Sequence, residues 1–318
     1  MTEPQALFDL LVILGPTASG KTRLAVALAG EFGGEIVSAD SRQVFRGMDI
    51  GSGKDLHEYG SVPYHLIDIL DAGGEFSVFE FQRRFLKARA EITARGSVPV
   101  LCGGSGMYLD AALRGYRMVE VPHNAALRAE LATRTDAELV GELWRLRPDQ
   151  HNRTDLLDRE RTVRAIEIAR GELEGCPVCE PLPPLRTVVI GIRWEREALR
   201  RRITERLRER LDNGMIEEVQ RLHAGGIAWE RLDYYGLEYR YVGAYLRGDT
   251  NRNDMFQRLN SAIHDFAKRQ GNWFRRMERH GIVINWIEGD GDLPAQSREI
   301  ICRGTVAPHV GGASLLRR

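Results

Sequence analysis

Apolar and polar positions sort this chain into two kinds of region. Leu10–Leu14 is an unbroken apolar run of strand length, and the stretch from Gly20 to Phe32 then places Leu24, Ala25, Leu28 and Ala29 on one helical face. "EIVSA" predicts a second strand, ending at Asp40, and "FSVFEFQRRFLKARAEITARG" an amphipathic helix stopped by Gly96. The apolar run "VPVLC" predicts a third strand, which opens into the turn "GGSG". Strands alternating with helices, with polar residues gathered at strand ends, predict an α/β fold built on a parallel sheet.

The pattern changes after Tyr116. From Val121 to about Leu185 the chain is helical and charged, with "LRAELATRTDAELVGELWRL" and "DRERTVRAIEIAR" as its clearest helices and "CPVCEPLPPL" closing it. "RTVVIGIRW" then predicts a further strand, and helices follow at Arg196–Asn213, Ile216–His223 and Met255–His280. The expected organisation is a core of residues 1–120 and 186–290, a helical insertion of 121–185, and a loose C-terminal tail of 291–318.

Composition narrows the function classes. The chain has 318 residues, 43% hydrophobic and 28% charged, with 45 basic against 45 acidic side chains, so a globally basic nucleic-acid binder is excluded. Local charge differs: Arg240 to His280 carries nine Lys/Arg against four Asp/Glu, interleaved with Tyr241, Tyr245, Trp273 and Phe274. Cys176-x-x-Cys179 has metal-like spacing, but no second pair completes a zinc site. No apolar run approaches the ~20 residues of a membrane span, and "MTEPQALFDL" lacks a basic leader, so a cytoplasmic protein without a membrane partner is expected.

The chemistry begins at Gly15-Pro16-Thr17-Ala18-Ser19-Gly20-Lys21-Thr22, a full match to G-x-x-x-x-G-K-[ST] between a strand and a helix. In that context backbone N–H groups and the helix start cradle phosphate, Lys21 supplies a cation and Thr22 an oxygen for Mg²⁺. The core is thus expected to be P-loop NTPase-like. Yet "VPVLC" ends in Gly103-Gly104-Ser105-Gly106, where a hydrolase or kinase would carry an acid for Mg²⁺ and water. The carboxylate available at a strand end is Asp40. That combination favours a diphosphate leaving group over phosphoryl transfer.

Six segments in order resemble the tRNA dimethylallyltransferases, also called tRNA isopentenyltransferases or IPP transferases. They are "GPTASGKT", "SADSRQVFRGMDIGSGK" (38–54), "PYHLID" (63–68), "GGSGMYL" (103–109), "RTVRAIEI" (161–168) and "KRQGNWFRR" (268–276). The resemblance implies transfer of a dimethylallyl group from dimethylallyl diphosphate to the exocyclic amine of the adenosine immediately 3′ of the anticodon, in tRNAs reading codons that begin with U. It implies Asp40 as general base, Arg206 as a guanidinium on the diphosphate, and Ser105, where most relatives carry Thr, as a hydroxyl at the amine or a phosphate oxygen.

It further implies tRNA contacts from Ser41, Arg42 and Gln43 beside Asp40, and from Arg128 and the segment Glu160, Arg161, Thr162, Val163, Arg164 on the insertion, which would clamp the anticodon stem-loop. Lys268 and Arg269 are surface candidates for RNA phosphate, whereas Trp273 and Phe274 are expected in the core and lone His65 in packing. "YGLEYRYV" (235–242) departs from the family's Gly-Tyr-Lys/Arg-Glu. Either Gly236 is the family glycine, or Tyr239-Arg240 holds the register with Glu238 in its place. The other readings are an isopentenyltransferase acting on free nucleotide, which needs no insertion, a P-loop kinase or ATPase, and a non-catalytic RNA-binding protein. A monomer is expected.

Overall fold

The computed structural model describes residues 8–116, 121–148, 158–175 and 185–303, which fall into two compact units. The larger, of residues 8–113 and 185–303, is an α/β unit; the smaller, within 114–175, is helical. Cys176 and Cys179 lie outside the described residues.

The larger unit starts with β1 (Leu10–Leu14), α1 (Lys21–Phe32) and β2 (Gly34–Ala39). Short strands β3 (Phe45–Arg46), β4 (Tyr64–His65) and β5 (Leu70–Asp71) follow, then α2 (Val78–Ala94), β6 (Val98–Gly103) and α3 (Gly106–Arg114). The central sheet has the order β4-β2-β6-β1, continued by β7 (Thr187–Arg193) and β8 (Asn285–Glu288), and every strand pair in it is parallel. All five residues of β1 are fully buried between β6 and β7. At about 1.5–3 kcal/mol for each large apolar side chain, that burial makes β1 the axis of the unit. It also delivers the phosphate loop to the carboxyl edge of the sheet, where ligands of open α/β sheets bind.

The helices behind β7 are α7 (Arg196–Asp212), α8 (Met215–Ala224), α9 (Trp229–Tyr234), α10 (Leu237–Leu246) and the 28-residue α11 (Arg252–Arg279). Along α11, Met255, Leu259, Ile263, Ala267, Gln270, Phe274 and Met277 turn inward at steps of three and four.

Two expectations are corrected here. Residues from 291 do not form a loose tail throughout: α12 (Leu293–Cys302) has an Asp292 N-cap and Pro294 in its first turn, and Ile301 is buried in the core with Leu293 and Ile300 packed beside it. The helical stretch "LRAELATRTDAELVGELWRL" is also not one helix. It is α4 (Ala125–Ala132) and α5 (Asp136–Leu146), because Thr135 and Glu138 form a capping box that starts a new helix.

With α6 (Arg159–Leu173), α4 and α5 make the smaller unit around Leu127, Leu131, Leu139, Leu143 and Ile166. Its charged centre is Glu167, fully buried and bonded by Arg128 through two nitrogens at 2.9 Å each, by Arg164 at 2.9 Å, and by the Asn124 N–H at 3.0 Å.

Candidate active site

The phosphate loop is built to present backbone donors. Gly20, the N-cap of α1, has φ 90° and no side-chain cap, and the first turn of α1 holds no acidic residue, so the helix start is open to an anion. The loop's carbonyls are held by side chains from within and beyond it. Lys21 Nζ donates to the Pro16 oxygen at 3.3 Å, Arg202 Nε to that of Ala18 at 2.9 Å, and Trp194 Nε1 to that of Ser19 at 3.1 Å. Arg202 lies over the Trp194 ring at 4.3 Å, which fixes both donors. A Cβ on Gly15 would come within 2.6 Å of Ser19 Oγ, and that buried hydroxyl has no hydrogen-bond partner among the described residues.

A cavity of about 730 Å³ opens in front of this loop, lined by Ser19, Lys21, Thr22, Asp55, Arg206 and Arg210 among others. Burial pushes the Lys21 ammonium below its usual pKa and Arg206 and Arg210 push it the same way, while Cys102 and Asp40 act in the opposite sense. Arg206 is ion-paired with Asp55, and Arg210 with Glu238 at 3.3 Å. Gly53 (φ +64°) allows this crowding: a Cβ there would lie 1.7 Å from Arg210 Nη2 and 2.9 Å from Arg206 Nη2. Burial raises the Glu238 carboxyl and lowers the Arg210 guanidinium, so the pair carries part of its own desolvation cost.

Asp40 stands at the end of β2, where Ala39 pairs in register with Gly103 of β6. Its Oδ1 accepts the Arg42 N–H at 2.8 Å, and the Ser41 N–H reaches Ser105 Oγ at 3.4 Å. A Cβ on Gly103 would lie 2.3 Å from the Ala39 oxygen, so the two strand ends touch through a glycine. Gln43 does not point outward with its neighbours: its amide joins Ser38 Oγ at 2.7 Å to the Gly53 carbonyl at 3.0 Å. Arg42 donates to the Tyr234 carbonyl at 2.9 Å and lies over the Tyr234 ring at 5.2 Å.

The other expected residues divide by position. Lys268 and Arg269 are exposed on α11, Phe274 is buried, and Trp273 is half-buried. His65 joins Glu35 at 2.7 Å in packing with Arg95. Within the segment on α6, Glu160 and Arg161 are exposed, but Thr162 is buried and donates to the Asp158 carbonyl at 3.0 Å. Helical periodicity turns it inward, so its side chain is not a surface contact. Arg128 and Arg164 are engaged by Glu167 inside the same unit.

Gly236 has φ +132° ahead of α10, a conformation that favours glycine, whereas Tyr239 is buried with its hydroxyl donating to Glu218 at 2.9 Å.

The match to known proteins is direct. The family model described as IPP transferase covers residues 43–277. The chain belongs to the IPP transferase family. Among curated members, tRNA dimethylallyltransferase 2 of Trichlorobacter lovleyi is 66% identical over 299 residues, 94% of this chain and 98% of that one. The same-named protein of Pelobacter propionicus is 66% identical over 92% of this chain and 94% of its own. The solved full-length tRNA isopentenylpyrophosphate transferase of Bacillus halodurans is 32% identical with a TM-score of 0.68, over 92% of this chain and 94% of that one.

Seen as a member of the IPP transferase family, the chain holds site residues that its sequence did not single out. Trp194 and Arg202 orient the phosphate loop, Gln270 joins it to the next loop, and buried Glu218 accepts the N–H groups of Asp49, Ile50 and Gly51 at 2.8, 2.6 and 3.0 Å. "RWEREALRRR" after a predicted strand is the local sign of the first two, and Gln270 lies within the segment "KRQGNWFRR"; nothing local marks Glu218.

Proposed function

We propose that this IPP transferase family member is a tRNA dimethylallyltransferase, joining the dimethylallyl group of dimethylallyl diphosphate to the exocyclic amine of the adenosine 3′-adjacent to the anticodon in tRNAs reading UNN codons. The observation that carries this reading is the pairing of a complete phosphate loop with a β6 end made of glycines and Ser105, while Asp40 occupies the neighbouring end of β2. A leaving diphosphate needs binding and charge stabilisation but no hydrolytic acid.

The loop amides, Lys21, Thr22 and Arg206 hold the diphosphate while its C–O bond breaks and the electron pair leaves with it. The adenine amine attacks the freed allylic carbon, and Asp40 takes the amine proton as the C–N bond forms. Ser105, Ser41 and Arg42 bound the acceptor side, and Gln43 braces that segment from within. Lys268, Arg269, Arg128 and the exposed residues of 160–164 are the proposed tRNA contacts.

Mg²⁺ suits the donors present: Thr22 offers a hydroxyl oxygen at the open start of α1, beside the Ser19 hydroxyl that is unpartnered among the described residues, and diphosphate and water would supply further oxygens. When bound, the ion would offset charge on the leaving group. Among the described residues no helix is long and apolar enough to cross a membrane. The enzyme acts, in this reading, as a cytoplasmic monomer.

The test offers purified protein Mg²⁺ and labelled dimethylallyl diphosphate with an unmodified anticodon stem-loop, AMP, or no acceptor. Label in the stem-loop alone supports the proposal. Label in AMP alone moves the assignment to free-nucleotide transfer, and ATP hydrolysis with no labelled acceptor overturns the leaving-group chemistry.

A further inference from the structure

Gln270 lies on α11, far along the chain from both loops of the site, and its one amide bridges them. Its Oε1 accepts the Thr17 N–H at 2.9 Å and its Nε2 donates to the Gly104 carbonyl at 2.9 Å. Thr17 belongs to the phosphate loop. Gly104 precedes Ser105, whose hydroxyl receives the Ser41 N–H next to Asp40. Gln270 therefore stands between the donor side and the acceptor side of the site.

The fit leaves little room for the loops to move independently. Gln270 is only 7% exposed, and a Cβ on Gly104 would lie 2.4 Å from its Nε2 and 3.1 Å from the Gly15 oxygen. One turn onward, Trp273 covers Gly106, where a Cβ would approach its ring to 2.2 Å. Thus α11 places one side chain between the two loops and a second against the start of α3.

We propose that Gln270 is a positioning residue whose amide sets the separation of the phosphate loop from the Gly104–Ser105 loop, and so of the allylic carbon from the amine that attacks it. This rests on the function proposed above. A carboxamide accepts at one end and donates at the other without charge, which is what a bridge from an N–H to a carbonyl requires. Glutamate would keep the acceptor for Thr17 but set an oxygen against the Gly104 oxygen. Methionine would fill the space with neither bond. A displacement of about 1 Å between reacting groups costs up to about 10²-fold in rate.

Gln270→Glu and Gln270→Met are compared with the wild-type chain using the anticodon stem-loop and dimethylallyl diphosphate. The readouts are kcat, both KM values, and the rise in melting temperature on adding inorganic pyrophosphate with Mg²⁺. The expected result is a fall in kcat of about 10- to 10²-fold in both variants. In Gln270→Met, which adds no charge, the KM for dimethylallyl diphosphate and the pyrophosphate shift change far less than kcat does; in Gln270→Glu both worsen as well, because a buried carboxylate beside the phosphate loop repels the diphosphate. Wild-type kcat in either folded variant overturns the proposal, as does a loss of activity that tracks only a loss of folded protein. Wild-type protein inactive on every acceptor counts against the proposed function, whereas active variants beside an active wild type count against Gln270 alone.

Discussion

Arg206 and Asp55 are joined in an ion pair at the cavity in front of the phosphate loop. Burial alone would raise the Asp55 carboxyl, but Arg206 and Arg210 outweigh it and hold it below its ordinary value. The guanidinium expected to meet a diphosphate thus has a competing carboxylate. Arg206→Ala is expected to lower kcat/KM for dimethylallyl diphosphate by about 10²- to 10³-fold, the scale of one charge-stabilising donor. Asp55→Asn should lower the KM for the same substrate a few-fold by releasing Arg206, since a part-exposed pair contributes about 1 kcal/mol or less. Steady-state kinetics at saturating stem-loop checks both, and an unchanged kcat/KM in Arg206→Ala removes that residue from the site.

Asp40 accepts one backbone N–H from Arg42 and, among the described residues, has no ion-pair partner. Asp40→Asn keeps that acceptor and loses the base. The expected drop in kcat is about 10²- to 10⁴-fold, with pyrophosphate binding retained within about two-fold because the phosphate loop is untouched. Isothermal titration with pyrophosphate alongside turnover separates the two effects; parallel losses would mean Asp40 serves the loop instead of the amine.

Glu167 has a pH signature. Its burial works to raise the carboxyl, yet Arg128, the Asn124 N–H and Arg164 bring it down to about 2 from an ordinary 4.5. A carboxyl depressed in the folded state stabilises above its unfolded pKa and loses that contribution as pH falls through the folded one. The helical unit should therefore lose on the order of 2–3 kcal/mol between about pH 4.5 and 2. Glu167→Gln should melt lower than wild type at pH 7 and converge with it near pH 2, as followed by circular dichroism. Arg128→Ala should likewise weaken this unit, so its effect on tRNA affinity has to be measured at a temperature where the variant is folded.

Glu218 predicts a structural cost with a catalytic echo. Its carboxylate is 1% exposed and accepts three consecutive backbone N–H groups and the Tyr239 hydroxyl. Glu218→Gln turns one acceptor into a donor facing donors, expected to cost about 2–3 kcal/mol, while Tyr239→Phe removes a single bond worth about 1 kcal/mol. Denaturant titration orders the two. A smaller loss in Glu218→Gln than in Tyr239→Phe would contradict this role of Glu218 in holding the 49–51 turn, which leads to Gly53, Asp55 and the arginines they touch.

Much of the frame is written locally. The run Leu10–Leu14, the glycine-lysine-threonine loop and the periodicity of α1 and α2 involve neighbours in the chain, so hydrophobic spacing and capping residues such as Ser77 specify them without help from afar. The same holds for Asp40 and Ser105, which sit at the ends of two predictable strands. Short elements were not legible. The two-residue strands β3, β4 and β5 carry no period, and α10 and α12 are short helices whose apolar residues are recognised only by what they pack against.

What the amino-acid order determined by itself was a parallel α/β core with a phosphate loop, an acid-free β6 end, and the carboxylate across from it. What tertiary structure alone decided was which distant side chains complete that site. Trp194 and Arg202 reach the phosphate loop across 175 and 184 residues, and Gln270 reaches Thr17 across 253. It also assigned Arg128 to Glu167 and turned Thr162 inward, because a guanidinium or hydroxyl on a helix reads the same in sequence whether it faces solvent or a buried partner. Only the packing of helix on helix chooses between them.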